Sequence, residues 1–339
     1  MSLDDKRVRI SDIAGELGLS TATVSNVLHG KTKKISDETV KRVQALLEER
    51  QYIPSMAGIL LAQNSSRIIG IMINDHEKYE GRALEDSYIA SSLNYLSAEI
   101  EKSGQFMMIK KTRDVEEIIK FSSMWNMDSL VIMGFCEQDY ATLRDRMRIP
   151  FVVYDGYCQD TKRICNISID NYGGGFQVGA CFQGLGHRRA LCIADNCECM
   201  DKERYEGFRA GFGETGSAFM LIPNRKEQRL AFYREKLPEL RSYSAVFAVS
   251  DYYAAELIQF LRDNHVSVPG EISVAGFDDA PISTLISPAL TTVSQNLSLK
   301  AQTAIQKLRE LKEGKEVPTE LVLPVTLIER ASTGKAKTE

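Results

Sequence analysis

The chain of 339 residues contains no run of about 18 apolar residues, so no membrane-spanning helix is expected. Its first residues, MSLDDKR, lack the apolar stretch of a secretory leader, and the expected compartment is the cytoplasm. Its seven cysteines (Cys136, Cys158, Cys165, Cys181, Cys192, Cys197 and Cys199) are odd in number. With no leader they read as reduced thiols, not as a disulfide framework. The four histidines, His29, His76, His187 and His265, are scattered, and Cys192, Cys197 and Cys199 lack a second cluster at zinc spacing, so no metal site is expected. Walker A, G-x-S-x-G and H-E-x-x-H motifs are all missing. Gly173-Gly174-Gly175 does not open a dinucleotide fingerprint, because position 178 is valine. Neither an enzyme nor a cofactor is expected.

What is present is an ordinary globular composition, 43% hydrophobic and 26% charged, at a length that suits two or three domains. Charge is unevenly spread. Residues 1–63 carry nine Lys/Arg against eight Asp/Glu, while the remainder carries 33 against 38. The whole chain, at −4, is no bulk polyanion binder, but its first segment is free to meet nucleic acid locally.

Residues 10–51 read as three short helices. Ser11 is expected to cap the first, with Ile13, Ala14 and Leu17 on one face and Gly18 ending it. Ser20 caps a second, with Val24, Val27 and Leu28 inward and Gly30 closing it. Ser36 caps a third, where Asp37 and Glu38 suit the positive end of the helix dipole and Val40, Val43 and Leu47 form the buried stripe. Two helices joined by a short glycine turn form a helix-turn-helix. The outward face of the second helix then shows Thr21, Ala22, Thr23, Ser25, Asn26 and His29. These short side chains suit a major groove about 12 Å wide. Asn26 can pair with adenine, Thr21 or Ala22 can touch a thymine methyl, and Lys31, Lys33, Lys34 and Lys41 can meet phosphates. Periodicity alone also allows a three-helix bundle with a polar surface.

The run ISDIAGELGLSTATVSNVLHG over residues 10–30, followed by Ile35-Ser36 and Tyr52-Ile53-Pro54, resembles the headpiece of the lac repressor/galactose repressor family of bacterial transcriptional regulators. The resemblance implies that the second helix reads an operator. It also implies that residues 54–66 form a hinge helix whose leucine, Leu61 by position, wedges into the minor groove. Three positions depart from the pattern: Asn26 replaces the usual arginine, Ser55 the usual asparagine and Gly58 the usual alanine. Residues 55–66 alone also allow a linker packed on the core.

From Arg67 short apolar runs alternate with helical segments, as in doubly wound parallel sheets. Strands are expected at 68–73, 106–110, 130–134, 151–154, 190–194, 219–222, 245–249, 273–277, 290–293 and 320–328, with a helix over 297–312. The expected class is α/β: two lobes like periplasmic binding proteins, behind an all-α headpiece spanning 1–53. Core residues 67–339 divide into lobe 1 (about 67–165 and 295–319) and lobe 2 (about 166–294 and 320–332). Ligands of such folds lie where strand C-termini face a crevice.

The core resembles the effector domain of the same family through Asp170-Asn171 before Gly174, Leu185-Gly186-His187-Arg188, Arg204 with Gly207-Phe208, Ser250-Asp251, Gly276-Phe277-Asp278-Asp279 and the stretch Leu290 to Gln295. The resemblance implies an effector site of Asp155, Arg204, Ser250, Asp251, Asp278 and Gln295, with Asp75, Asn74 and His76 as weaker candidates. Carboxylates and a guanidinium suit neighbouring hydroxyls, and Asp251 and Asp278 can instead cap helices. An aromatic platform is expected from Phe135, Tyr157 or Tyr252, since the loop after residue 222 is Pro223-Asn224-Arg225.

The implied protein is a homodimeric regulator on a pseudo-palindromic operator, a repressor switched by a small carbohydrate or similar effector between the lobes. Two alternatives stay open: control by a protein corepressor, and a sugar-binding receptor.

Overall fold

The computed structural model describes residues 8–53, 65–156 and 164–337. The chain divides into two compact units, Met1–Ser65 and Ser66–Glu339.

The first unit holds α1 (Ile10–Leu17), α2 (Thr21–Leu28) and α3 (Asp37–Glu49). Ile13, Ala14, Val24, Val27 and Val43 form its buried centre, with Leu17, Ile35, Val40, Leu47 and Tyr52 packed around them. Each branched side chain so buried contributes roughly 1.5–3 kcal/mol, enough for a small bundle of this kind. Ser20 and Ser36 cap as expected, each accepting from the backbone N–H three residues on, at 3.1 and 3.3 Å. Ser11 does not. The cap residue is Arg9, whose N–H donates to Asp12 Oδ2 at 2.8 Å, so the carboxylate in the first turn takes the part expected of the serine. Gly18, at φ 67°, closes α1 in the left-handed conformation that glycine adopts without strain.

The second unit contains two six-stranded sheets among the described residues. In chain order it runs β1 (Ile68–Asn74), α4 (Ser87–Lys102), β2 (Phe106–Thr112), α5 (Val115–Met124), β3 (Ser129–Met133), α6 (Glu137–Arg146), β4 (Phe151–Tyr154), β5 (Cys165–Ile169), α7 (Asn171–Gly184), β6 (Ala190–Ala194) and α8 (Cys199–Phe212). Then come β7 (Ser217–Leu221), α9 (Lys226–Leu240), β8 (Ala245–Ala248), α10 (Asp251–Asp263), β9 (Ser273–Asp278), α11 (Ile282–Leu285), β10 (Thr291–Gln295), α12 (Leu297–Lys312), β11 (Glu320–Leu323) and β12 (Val325–Ile328). The lobe 1 sheet is ordered β11-β5-β4-β3-β1-β2 and the lobe 2 sheet β12-β10-β9-β8-β6-β7. Among the described residues every strand pairing is parallel except β10 with β12. The expected doubly wound α/β class is therefore the observed one.

Two expectations are corrected. The run 320–328 is not one strand: Glu320–Leu323 pairs with β5 in lobe 1, while Val325–Ile328 pairs with β10 in lobe 2. Pro324 separates them, and a proline cannot donate to a ladder. Lobe 1 also keeps β5, which pairs with β4 through Cys165, Asn166 and Ile167. The three crossovers therefore follow Ile169, Gln295 and Leu323, not residues 165, 294 and 319.

The Gly173-Gly174-Gly175 run lies in α7 and serves packing. A Cβ on Gly175 would stand 2.0 Å from the Arg204 carbonyl oxygen, and one on Gly207 2.0 Å from that of Tyr172. Helices α7 and α8 touch backbone to backbone, which fixes where α8 carries its side chains.

Candidate functional site

On the headpiece, the face of α2 away from the core shows Thr21, Ala22, Asn26 and His29 exposed, with Thr23 and Ser25 half-buried. Thr23 is engaged locally, with its hydroxyl 2.9 Å from the capping Ser20 Oγ. The Asn26 side-chain amide makes no hydrogen bond among the described residues and is free for an outside partner. Lys31, Lys33, Lys34 and Lys41 are all exposed or half-exposed. Glu16 and Arg50, paired at 2.8 Å, tie α1 to the end of α3. Leu61 and residues 54–64 of the hinge expected over 54–66 lie outside the described residues.

In the core, the C-terminal ends of β1, β4, β6, β8 and β9 supply the crevice, as parallel topology requires. Asp155 follows β4, 8% exposed, with φ at 56°. Its Oδ2 pairs with Lys300 Nζ and accepts from the Tyr88 hydroxyl, while its Oδ1 is buried with no hydrogen-bond partner among the described residues. On the lobe 2 side, Arg204 sits within α8. Its Nε donates to Asn171 Oδ1 at 2.9 Å, its Nη1 donates to the Val249 carbonyl at 2.7 Å, and its guanidinium lies 3.7 Å above the Phe277 ring. Nη2 is left without a protein hydrogen bond among the described residues. Gln295, at the last position of β10, donates from Nε2 to Asp278 Oδ1 at 2.8 Å.

Asp278 is the electrostatic centre of lobe 2. Burial pushes its carboxyl up to about 7, opposed by Arg204 and reinforced by Asp86 and Asp155, with the Gln295 bond acting downward. Burial also drives Asp251 well above the usual carboxylate range, with Asp278 adding to the shift. The crevice is therefore rich in carboxylates.

The structure brings Asp155, Arg204, Asp278 and Gln295 toward the crevice and leaves the other expected residues in different roles. Asp251 is 1% exposed: its Oδ2 accepts from the Ala280 N–H at 2.7 Å and its Oδ1 from the Thr292 hydroxyl at 2.5 Å. Through these two bonds it ties the β9 loop to β10. Ser250 is the cap of α10, accepting from the Tyr253 N–H at 3.4 Å. Asp75 pairs with Lys111 at 3.5 Å, and its Oδ1 is buried without a hydrogen-bond partner among the described residues. Asn74 donates to the Gly134 carbonyl at 2.8 Å, and His76 accepts from the Lys78 N–H.

The aromatic platform fares likewise. Phe135 is buried, Tyr252 is exposed near Arg229 at 5.6 Å, and Tyr157 lies outside the described residues. His187 is a satisfied turn residue, bonded to Ser244 Oγ at 2.9 Å and the Gly334 carbonyl at 3.1 Å.

Sequence reasoning missed Tyr88, Asp86, Lys300 and the pair of Lys78 in lobe 1 with Asp195 in lobe 2, 4.0 Å apart. Lys300 left a signal. It occupies the face of α12 that also carries Ala304 and Leu308, both fully or nearly fully buried, so a lysine there had to find partners inside.

Residues 9–55 match the family model described as bacterial regulatory proteins, lacI family, and residues 180–333 match that of a periplasmic binding protein-like domain. The chain thus carries a lacI-family headpiece ahead of a periplasmic binding protein-like domain. Relatives similar to this chain include the regulator GalR of Escherichia coli, 26% identical with 97% of each chain covered. The regulator DegA of Bacillus subtilis is 25% identical, covering 98% of this chain and all of that one. The repressor PurR of Glaesserella parasuis is 28% identical with 94% of each covered. In fold, the chain is similar to a lac repressor dimer bound to operator and an anti-inducer, with a TM-score of 0.83 at 21% identity over 97% of this chain and all of that one. It is also similar to a regulator CelR–cellobiose complex, with a TM-score of 0.68 at 22% identity, 96% of this chain and all of that one covered. These relatives are transcriptional regulators, not enzymes. No helix among the described residues is long and apolar enough to cross a membrane.

Proposed function

We propose that this lacI-family regulator acts in the cytoplasm as a homodimeric repressor. Its two headpieces read the half-sites of a pseudo-palindromic operator, and a neutral sugar or sugar derivative between the lobes sets operator affinity. Thr21, Ala22, Thr23, Ser25, Asn26 and His29 are the proposed base-reading set, with Leu61 as the minor-groove wedge. Asp155, Arg204, Asp278 and Gln295 are the proposed effector set. One observation carries the effector reading: a buried, unpartnered Asp155 Oδ1 in lobe 1 and an uncommitted Arg204 Nη2 in lobe 2. Together they offer an acceptor and a donor to hydroxyls on one small molecule. Effector binding shifts the balance between lobe arrangements, and a coupling of about 1–3 kcal/mol changes affinity 5- to 150-fold.

The test has two arms. Selection from random duplexes should return an inverted repeat bound by a dimer in sedimentation; a monomer, or no inverted repeat, overturns the DNA reading. Calorimetry with cellobiose, D-galactose, D-ribose and D-xylulose should show binding of at least one sugar. If operator binding survives while all four fail, control by a protein corepressor takes the place of the sugar reading.

A further inference from the structure

The two carboxylates that lobe 1 and lobe 2 bring to the crevice are joined by one buried cation. Lys300, fully buried on α12, has three N–H donors and all three are engaged: Asp155 Oδ2, Gln295 Oε1 at 2.9 Å and the Tyr88 hydroxyl at 3.3 Å. Its ammonium also lies over the Tyr154 ring at 4.9 Å and the Tyr88 ring at 5.5 Å. Asp155, Tyr88 and the buried face of α12 belong to lobe 1. Gln295 ends β10 in lobe 2, beside Asp278 on β9, and the chain crosses between lobes at the bond that follows it. The path Tyr88–Asp155–Lys300–Gln295–Asp278 therefore spans the crossover through side chains alone.

The geometry points to Lys300 as a positioning residue of the effector site: it decides which atoms the two lobes offer to a ligand. This inference rests on the effector reading of the crevice given above. By occupying Asp155 Oδ2, Lys300 leaves a single acceptor, Oδ1, for the ligand from lobe 1. By occupying Gln295 Oε1, it fixes the amide orientation, so that Nε2 and not the oxygen meets Asp278. An amide free to flip would present oxygen to a carboxylate, which repels it. A sugar that engages Asp155 Oδ1 and Asp278 thereby pulls on both ends of one network anchored at Lys300, and closure of one lobe is felt in the other.

Hydrogen exchange of the full-length protein without added sugar tests this, so its result does not depend on whether any effector has been found. Lys300→Met should speed exchange about tenfold at the Asp155 amide in lobe 1 and at the Asp279 amide in lobe 2, whose N–H is bonded to Ile167 O and Thr292 Oγ1 respectively. Because Lys300→Met leaves the Asp155 charge uncompensated and is liable to unfold, the deciding variant is Lys300→Met with Asp155→Asn, a neutral pair of similar size. There the lobe 2 amide should stay fast while lobe 1 recovers, since Gln295 still lacks its donor. Gln295→Met, which cuts the bridge and keeps the Lys300–Asp155 pair, should speed lobe 2 alone. Exchange at Asp279 equal to the parent protein in the neutral pair overturns the inference and makes Lys300 a local counter-ion of Asp155.

Discussion

Gly175 lies against the carbonyl of Arg204 so closely that a Cβ on the glycine would stand 2.0 Å from that oxygen. The contact repeats along the helix pair, with Gly179 against the Phe208 carbonyl at 2.3 Å and Gly211 against that of Phe176 at 2.2 Å. No side-chain rotation relieves a clash with backbone, so the helices themselves must part. Gly175→Ala is expected to destabilise the core by about 1–3 kcal/mol or somewhat more. It should also carry Arg204 away from Asn171 and Phe277. Melting temperature and sugar response should fall together, while Gly184→Ala, where nothing lies within 4 Å, should leave both unchanged.

Asp251 gives the second prediction. Asp251→Ala leaves the buried Ala280 N–H and the Thr292 hydroxyl without their acceptor, at about 1–3 kcal/mol for each unsatisfied group. Ser250→Ala removes only a cap and should cost about 1 kcal/mol. Chemical denaturation of the two variants should therefore show the larger loss at Asp251, and an equal or smaller loss there would mean that the carboxylate is not the tie that its two bonds describe.

The contrast between these neighbours shows what was legible in the chain. Apolar runs alternating with helical segments revealed most of the strands and the two-lobed class, because buried parallel strands need unbroken hydrophobic stretches, while β5, with Asn166 and Ser168 inside it, was not read as a strand. In the headpiece, α2 and α3 were legible from their capping serines, and α1 from the spacing of Ile13, Ala14 and Leu17 despite the cap falling at Arg9 and not at Ser11. For the proposed effector set, the chain gives residue type and strand end and no more. A carboxylate after a parallel strand is placed at the crevice by topology, but whether it faces a ligand depends on donors elsewhere in the chain. For Asp251 these are Ala280 and Thr292, and for Asp155 they are Tyr88 and Lys300, far away in sequence. The last crossover was missed for a local reason: Pro324 interrupts a run whose apolar pattern continues straight through it.

A third prediction concerns pH. The Asp278 carboxyl is raised by burial to about 7 from an ordinary value near 3.8, so the folded state holds a proton that the unfolded chain has already released. Stability from this group is fully present below about pH 4, falls as pH rises through the window to about 7, and is flat above it. Each unit of that window corresponds to about 1.4 kcal/mol. Asp278→Asn keeps an oxygen for the Gln295 amide and has no proton to lose. Its melting temperature should therefore decline less than that of the parent between pH 4 and 7, a gap that widens with pH. Parallel curves would show that Asp278 does not titrate in this window.

The last prediction is made on the headpiece. Asn26 is exposed on α2, its amide is uncommitted, and its donor and acceptor are spaced to meet the N7 and N6 edge of an adenine. Asn26→Ala should cost about 1–3 kcal/mol on the selected operator and relax preference at one base pair in each half-site. Stability should hardly change, because no described intramolecular bond is lost. Lys34 is the comparison: it is equally exposed but carries a point charge, so Lys34→Ala should weaken every duplex by a similar factor and lower the salt slope by about 1. The two variants separate reading from anchoring. Binding selections repeated with each should give a changed logo for Asn26→Ala and an unchanged one for Lys34→Ala. A uniform loss on all sequences for Asn26→Ala would place it on phosphate, and sequence choice would then rest on Thr21, Ala22, Ser25 and His29.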